Sequence, residues 1–177
     1  MTDRRKPMAG LLRDGEREPT GRRRAGLPTL LLLLAVCYAV AALGGFAAAD
    51  AGQTYEGLAK PSWAPPGWLF GPVWTVLYGT IAIAAWLVLR HGKAGTAVAM
   101  GWWSTQLALN LAWTPLFFAA DAYGIAFVDI CLLLVALAAT VVTFWRRRRA
   151  AAVLLVPYAA WVAYAAALNL SIWLLNT

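Results

Sequence analysis

Five apolar runs set the rhythm of the chain: Pro28 to Ala49, Trp68 to Leu89, Gly95 to Ala119, Ala122 to Trp145 and Ala151 to Leu175. A hydrocarbon core about 30 Å thick takes roughly 20 residues of helix, so each run has the length to span it. None alternates with period two, and in lipid every backbone polar group needs an internal partner, which favours helices over a barrel. The pattern predicts an all-α integral membrane protein, a bundle of five transmembrane helices over 28–49, 68–89, 95–119, 122–145 and 151–175. The first run, preceded by basic residues and followed by Ala47-Ala48-Ala49, also imitates a cleavable signal peptide. Its apolar stretch exceeds the roughly 7 to 15 residues of a signal core, so a retained helix is expected.

Charge divides the chain further. Residues 1–27 carry eight of the fifteen Lys and Arg and four of the eight acids, a basic tail expected to be disordered and separate from the membrane domain at 28–177. Counting positive residues on alternate sides of five spans puts fourteen with the N-terminus and only Lys60 opposite. The positive-inside rule then predicts a cytoplasmic N-terminus in a cell membrane, and Thr177 outside with the loop from Asp50 to Gly67. The net charge of +7 sits in the tail and short loops, not on one face of a folded domain. Attraction to the membrane surface explains it better than nucleic-acid binding.

Composition narrows the chemistry. The chain is 62% hydrophobic and 13% charged, and Cys37 and Cys131 both fall inside apolar runs, where a thiol behaves as a small hydrophobe. His91 is the only histidine, so a histidine triad or multi-histidine metal site has no material, and no metal is expected. Ten tryptophans are an excess over two interfacial belts. Trp74, Trp113 and Trp161 lie a turn or two inside the predicted helix ends. Helical spacing pairs Trp74 with Tyr78, aligns Gln106, Asn110, Trp113 and Phe117, and pairs Tyr158 with Trp161. Such stripes fit either a cavity for a large flat ligand or plain packing surface, with Asn110 and Asn169 bonding between helices.

Asp129 is the one acid inside a span and a functional candidate on that ground. No second buried ionisable group accompanies it for proton coupling. A structural role, protonated or bonded to an indole N–H or a helix terminus, is the favoured expectation. Pro61, Pro65 and Pro66 stiffen the first loop, where Trp63 and Trp68 are candidates for a lid or for interface anchors. Ala41, Gly44, Gly45 and Ala48 offer small surfaces for close helix contact.

The run Lys60-Pro61-Ser62-Trp63-Ala64-Pro65-Pro66-Gly67-Trp68, followed by Gly71-Pro72-Val73-Trp74-Thr75-Val76-Leu77-Tyr78, resembles the signature of the translocator protein family, the tryptophan-rich sensory proteins. Gln106 to Trp113, Pro115 to Phe118, Pro157 to Trp161 and Ala167 to Trp173 continue the likeness in family order. The resemblance implies a five-helix bundle, commonly a homodimer, that binds tetrapyrroles such as protoporphyrin IX or haem as ligand and requires no cofactor. It implies ligand-binding roles for Trp63, Trp68, Trp74, Asn110, Trp113, Asp129, Trp161, Ala165 and Leu168. Tyr78 and Tyr158 join them from the stripes. The expected function is a membrane receptor or carrier in porphyrin homeostasis or stress signalling. The resemblance also implies two alternatives, light- and oxygen-dependent degradation of protoporphyrin through Trp74 and Trp161, or porphyrin export. Two family tryptophans are replaced here, by Thr54 in the first loop and by Ile125 four residues before Asp129.

Overall fold

The computed structural model describes residues 25–47, 51–92 and 94–177; the basic tail through residue 24, Ala48 and Lys93 lie outside the described residues. The elements are α1 (Leu27–Ala47), α2 (Ala51–Gly57), a 3-10 turn (Gly67–Leu69), α3 (Phe70–His91), α4 (Thr96–Phe118), α5 (Tyr123–Trp145), α6 (Arg149–Leu154) and α7 (Val156–Leu175). No strand occurs among the described residues. The first four predicted apolar runs each become one long helix with ends shifted by a few residues, and the fifth becomes two, α6 and α7.

Four segments among the described residues combine the length and apolarity to cross a bilayer: Leu27–Phe46, Gly67–His91, Tyr123–Trp145 and Arg149–Leu175. At 23 residues α4 is equally long, but its indoles, amides and hydroxyls make it the least apolar of the long helices. Its polar groups turn inward, since Gln106 and Asn110 are 1% and 4% exposed. Around it, α4 packs along α5 and against α1, α1 lies on α3, α5 packs on α7, and α6 wedges against α3 and α5.

Local chemistry explains the interruptions. Pro157, in the first turn of α7, has no N–H to give the carbonyl four residues back, so the last apolar run breaks at Leu155 into α6 and α7. α3 stops at Gly92, whose φ of 51° supplies the left-handed turn and whose N–H donates to Leu89 O at 3.2 Å. Gly95 has φ 76°, and a Cβ there would collide with the Arg147 guanidinium. That side chain donates to the Ala94, Gly95 and Thr143 carbonyls, tying the α3–α4 turn to the end of α5. Residues 90–92, 94, 95 and 146–149 therefore share one end of the bundle, with Lys60 in the loop at the other.

Candidate ligand-binding site

α1, α2, α3 and α4 enclose a cavity of ≈ 430 Å³. α1 contributes Tyr38, Ala41, Gly44 and Gly45; α2 contributes Ala51, Gly52 and Tyr55; α3 contributes Phe70, Trp74, Thr75 and Tyr78; α4 contributes Asn110, Trp113, Thr114 and Phe118. A second void of ≈ 20 Å³ lies between α3, α4, α5 and α7, lined by Ile130, Leu133, Trp161, Val162 and Ala165. Phe70, Trp74, Asn110 and Trp113 line both, so these four side chains form the partition between them.

A chain of buried polar groups fixes the wall. Tyr78 donates to Asn110 Oδ1, Asn110 Nδ2 donates to the Tyr158 hydroxyl, and Tyr158 donates to Gln106 Oε1, each at 2.8 Å. Gln106 passes its amide on to Trp103 O at 2.9 Å, and Trp103 Nε1 reaches Ile81 O at 3.2 Å. A second bridge runs from Trp113 Nε1 to Asn169 Oδ1 at 3.0 Å and from Asn169 Nδ2 to Tyr123 O at 2.9 Å. Every amide in these bridges is spent on orienting an aromatic ring. The rings contact one another: Trp74 lies 5.7 Å from Tyr78 and 6.1 Å from Tyr158, and Phe70 meets Trp161 edge-on at 5.9 Å. Such contacts resist rearrangement and leave π faces and edges toward the cavity.

The first loop closes this end. Tyr55 donates to Pro65 O at 2.8 Å, Tyr164 donates to Trp63 O at 3.0 Å, and the Trp63 and Tyr164 rings meet at 5.6 Å. Lys60 caps α2 by donating to the carbonyls of Tyr55, Glu56 and Leu58 and sits 4.8 Å from the Tyr55 ring. Asn176, just past α7, pairs with both backbone groups of Ala59 at 3.0 Å. Burial, with a smaller repulsion from Tyr164, pushes the Tyr55 phenol above its ordinary pKa and keeps it a neutral donor.

The candidates read from the sequence do not converge on one place. Trp74, Tyr78, Asn110 and Trp113 line the larger cavity, Trp161 and Ala165 line the smaller void, and Tyr158 stands behind the wall as the hub of the polar chain. Leu168 packs in a separate cluster with Tyr55, Phe117, Ala126 and Ile172 beneath the loop. Trp63 and Trp68 are 46% and 72% exposed, an anchor-like placement for Trp68, while Trp63 holds the loop to α7. Asp129 is 8% exposed and precedes Ile130 of the smaller void. Its Oδ2 is buried with no partner, so the indole or helix-terminus donor expected for it is not supplied at that oxygen. Trp161 Nε1 is likewise buried without an acceptor.

Sequence reasoning left out Tyr38, Tyr55, Phe70, Thr75 and Thr114. It read Ala41, Gly44 and Gly45 as contact surface; they line the cavity, and a Cβ on Gly44 would meet Thr114 Oγ1 at 3.4 Å. The absence of side chains on α1 is a signal for space as much as for contact. Ile125 is 63% exposed, so that departure from the family pattern lies off the cavity wall. Among the described residues no three His, Cys, Asp or Glu side chains converge as metal ligands. What the arrangement offers chemically is aromatic surface, hydroxyl and amide donors, and one free indole N–H.

Comparison with known proteins places these features in context. The profile of the TspO/MBR family matches residues 33–174. The human translocator protein is 42% identical over 122 residues, covering 67% of this chain and 72% of the relative. The tryptophan-rich protein TspO of Chlorobaculum tepidum is 40% identical over 151 residues, covering 84% of this chain and 96% of its own. Protein CrtK of Rhodobacter capsulatus is 37% identical over 150 residues, covering 82% and 94%.

Proposed function

Because the chain belongs to the TspO/MBR family, we propose that this integral membrane protein is a five-span receptor or carrier that holds a planar tetrapyrrole, such as protoporphyrin IX or haem, for porphyrin homeostasis or stress signalling. α4 forms the fifth span, its amides turned into the bundle, and the N-terminus lies on the cytoplasmic side of the cell membrane. As in the resemblance drawn from the sequence, the working unit is a homodimer.

One observation carries the reading: a ≈ 430 Å³ cavity walled by Trp74, Tyr78 and Trp113 and oriented by Asn110. That volume lies within the roughly 300 to 1,000 Å³ of small-molecule sites, which combine apolar walls with a few placed polar groups. A flat conjugated ring buries both faces against such walls, while its edge groups meet the hydroxyls of Tyr38, Thr75 and Thr114. The binding test is titration of the purified protein with protoporphyrin IX while following indole fluorescence. A saturable quench is expected. Trp74→Phe should weaken it by about 0.5 to 1.5 kcal/mol, the worth of one aromatic contact beyond its area. A quench that stays linear in porphyrin, or that ignores both Trp74→Phe and Asn110→Leu, removes the reading.

A second reading, oxygen-dependent photodegradation of the porphyrin, draws on two ring pairs beside the cavities, Trp74 with Tyr158 and Phe70 with Trp161. Ligand mass before and after illumination separates it from binding alone. In that case the Trp74→Phe/Trp161→Phe variant loses degradation far more than affinity, since phenyl is harder to oxidise than indole.

A further inference from the structure

We propose that the arginine cluster at the end of α5 is a binding site for the phosphodiester headgroup of an anionic lipid in the adjoining leaflet. The site stands apart from the tetrapyrrole reading and shares no residue with it. Arg146 to Arg149, with Trp145, line a cleft of ≈ 560 Å³ at the α5–α6 turn. Their roles are divided. Arg147 is held by the Ala94, Gly95 and Thr143 carbonyls through its two terminal nitrogens, and its Nε is buried and unpartnered. Arg146, Arg148 and Arg149 are exposed, with Arg149 lying 5.6 Å over the Trp145 ring.

Nothing described neutralises this cluster. The acids among the described residues are Glu56, Asp121 and Asp129, the first in α2 and the second in the α4–α5 turn, both at the opposite end. Asp129 precedes Arg146 on α5 by about 25 Å at 1.5 Å per residue. Three free guanidiniums around a fixed fourth match a phosphate, which takes paired N–H donors from each planar fork.

The depth selects a lipid over a free oxyanion. Trp145 ends a span, is 49% exposed, and carries a cation over its ring; Trp86 repeats the pattern with Arg90 at 5.0 Å. Indoles in that position sit at the headgroup level. Val142, Val153 and Val156, all more than half exposed, extend apolar surface on the membrane side of the cluster, where an acyl chain lies.

The test is native mass spectrometry of the full-length protein released from detergent after exposure to phosphatidylglycerol or phosphatidylcholine of identical chains. The wild type should retain phosphatidylglycerol at least tenfold better. Near-surface cations attract an anionic headgroup additively, so R146Q/R148Q/R149Q, which keeps Arg147 as the fold's staple, should lose most of the preference, a drop of at least about fivefold in the ratio. Equal retention of the two lipids, or an unchanged ratio in the triple variant, overturns the proposal. So does an equal loss in R22Q/R23Q/R24Q, which would assign the lipid to the tail, or displacement by inorganic phosphate at matched ionic strength, which would make this a free-oxyanion site. If the triple variant loses its helical circular dichroism, R148Q alone decides: a severalfold drop in the ratio supports the site and no change overturns it.

Discussion

Asn110→Leu removes the middle of the polar chain while keeping the number and branching of the side chain's heavy atoms. Asn110 is 4% exposed and makes two side-chain hydrogen bonds at 2.8 Å, accepting from Tyr78 and donating to Tyr158. The two losses differ. Tyr158 keeps its donation to Gln106, whereas Tyr78 is left with a buried hydroxyl and no acceptor. Inter-helical hydrogen bonds in membranes average about 0.6 kcal/mol and reach about 1.7. An orphaned buried donor costs about 1 to 3 kcal/mol. The variant should therefore be destabilised by about 2 kcal/mol, and Tyr78→Phe alone by about 1, since it strands only the Asn110 carbonyl. The double variant Tyr78→Phe/Asn110→Leu removes donor and acceptor together, so it should cost less than the two singles added, by about 0.6 to 1.7 kcal/mol. Reversible unfolding in mixed micelles, followed by circular dichroism, measures all three. Strict additivity, or an Asn110→Leu cost below about 0.5 kcal/mol, would refute the view that the amide is committed to Tyr78 and Tyr158.

Gly124→Ala should cost about 1 to 3 kcal/mol by overpacking, because its Cβ would sit 2.9 Å from two carbons of the Trp173 ring; the same unfolding assay reads it, and a neutral result means that Trp173 swings freely. The raised pKa of Tyr55 favours the closed loop below the ordinary phenol pKa of 10.0, and this contribution is lost as pH rises through the folded value, since the unfolded segment releases its proton first. Amide exchange in residues 58–67, corrected for intrinsic rate, should accelerate above about pH 10 in wild type but not in Tyr55→Phe. For orientation, Ser62→Cys should react with an impermeant thiol reagent in intact cells and Arg148→Cys should not; the reverse labelling inverts the topology.

The long helices were legible because each apolar run exceeds the bilayer's requirement, and Pro157, a residue that opens local backbone groups, accounts for the break between α6 and α7. α2 was not legible. Its seven residues, Ala51–Gly57, bury only Tyr55 and hold no apolar period, so the helix exists through Lys60 capping its carbonyls and Tyr55 reaching Pro65. The stripe Gln106, Asn110, Trp113 and Phe117 was visible, but its division of labour was not: the amides bond to Tyr158, Trp113 to Asn169, and Phe117 joins the cluster beneath the loop. Spacing identifies a shared helix face, and only the partner helices decide what each member meets. Tyr38 escaped because a lone phenol among the apolar residues of α1 carries no periodic signal, whereas Thr114, four residues past Asn110, extends a stripe that was already visible.

The clasp between Asn176 and Ala59 joins residues 117 positions apart in the chain. At roughly 5 to 20 residues per second of synthesis, the first loop waits about 6 to 23 seconds for the residue that fastens it. Throughout that interval the loop lacks this tie, and a chain interrupted before Asn176 cannot form it. The first loop is thus fastened late, by a turn of chain made only after all four helices that line the larger cavity have been synthesised.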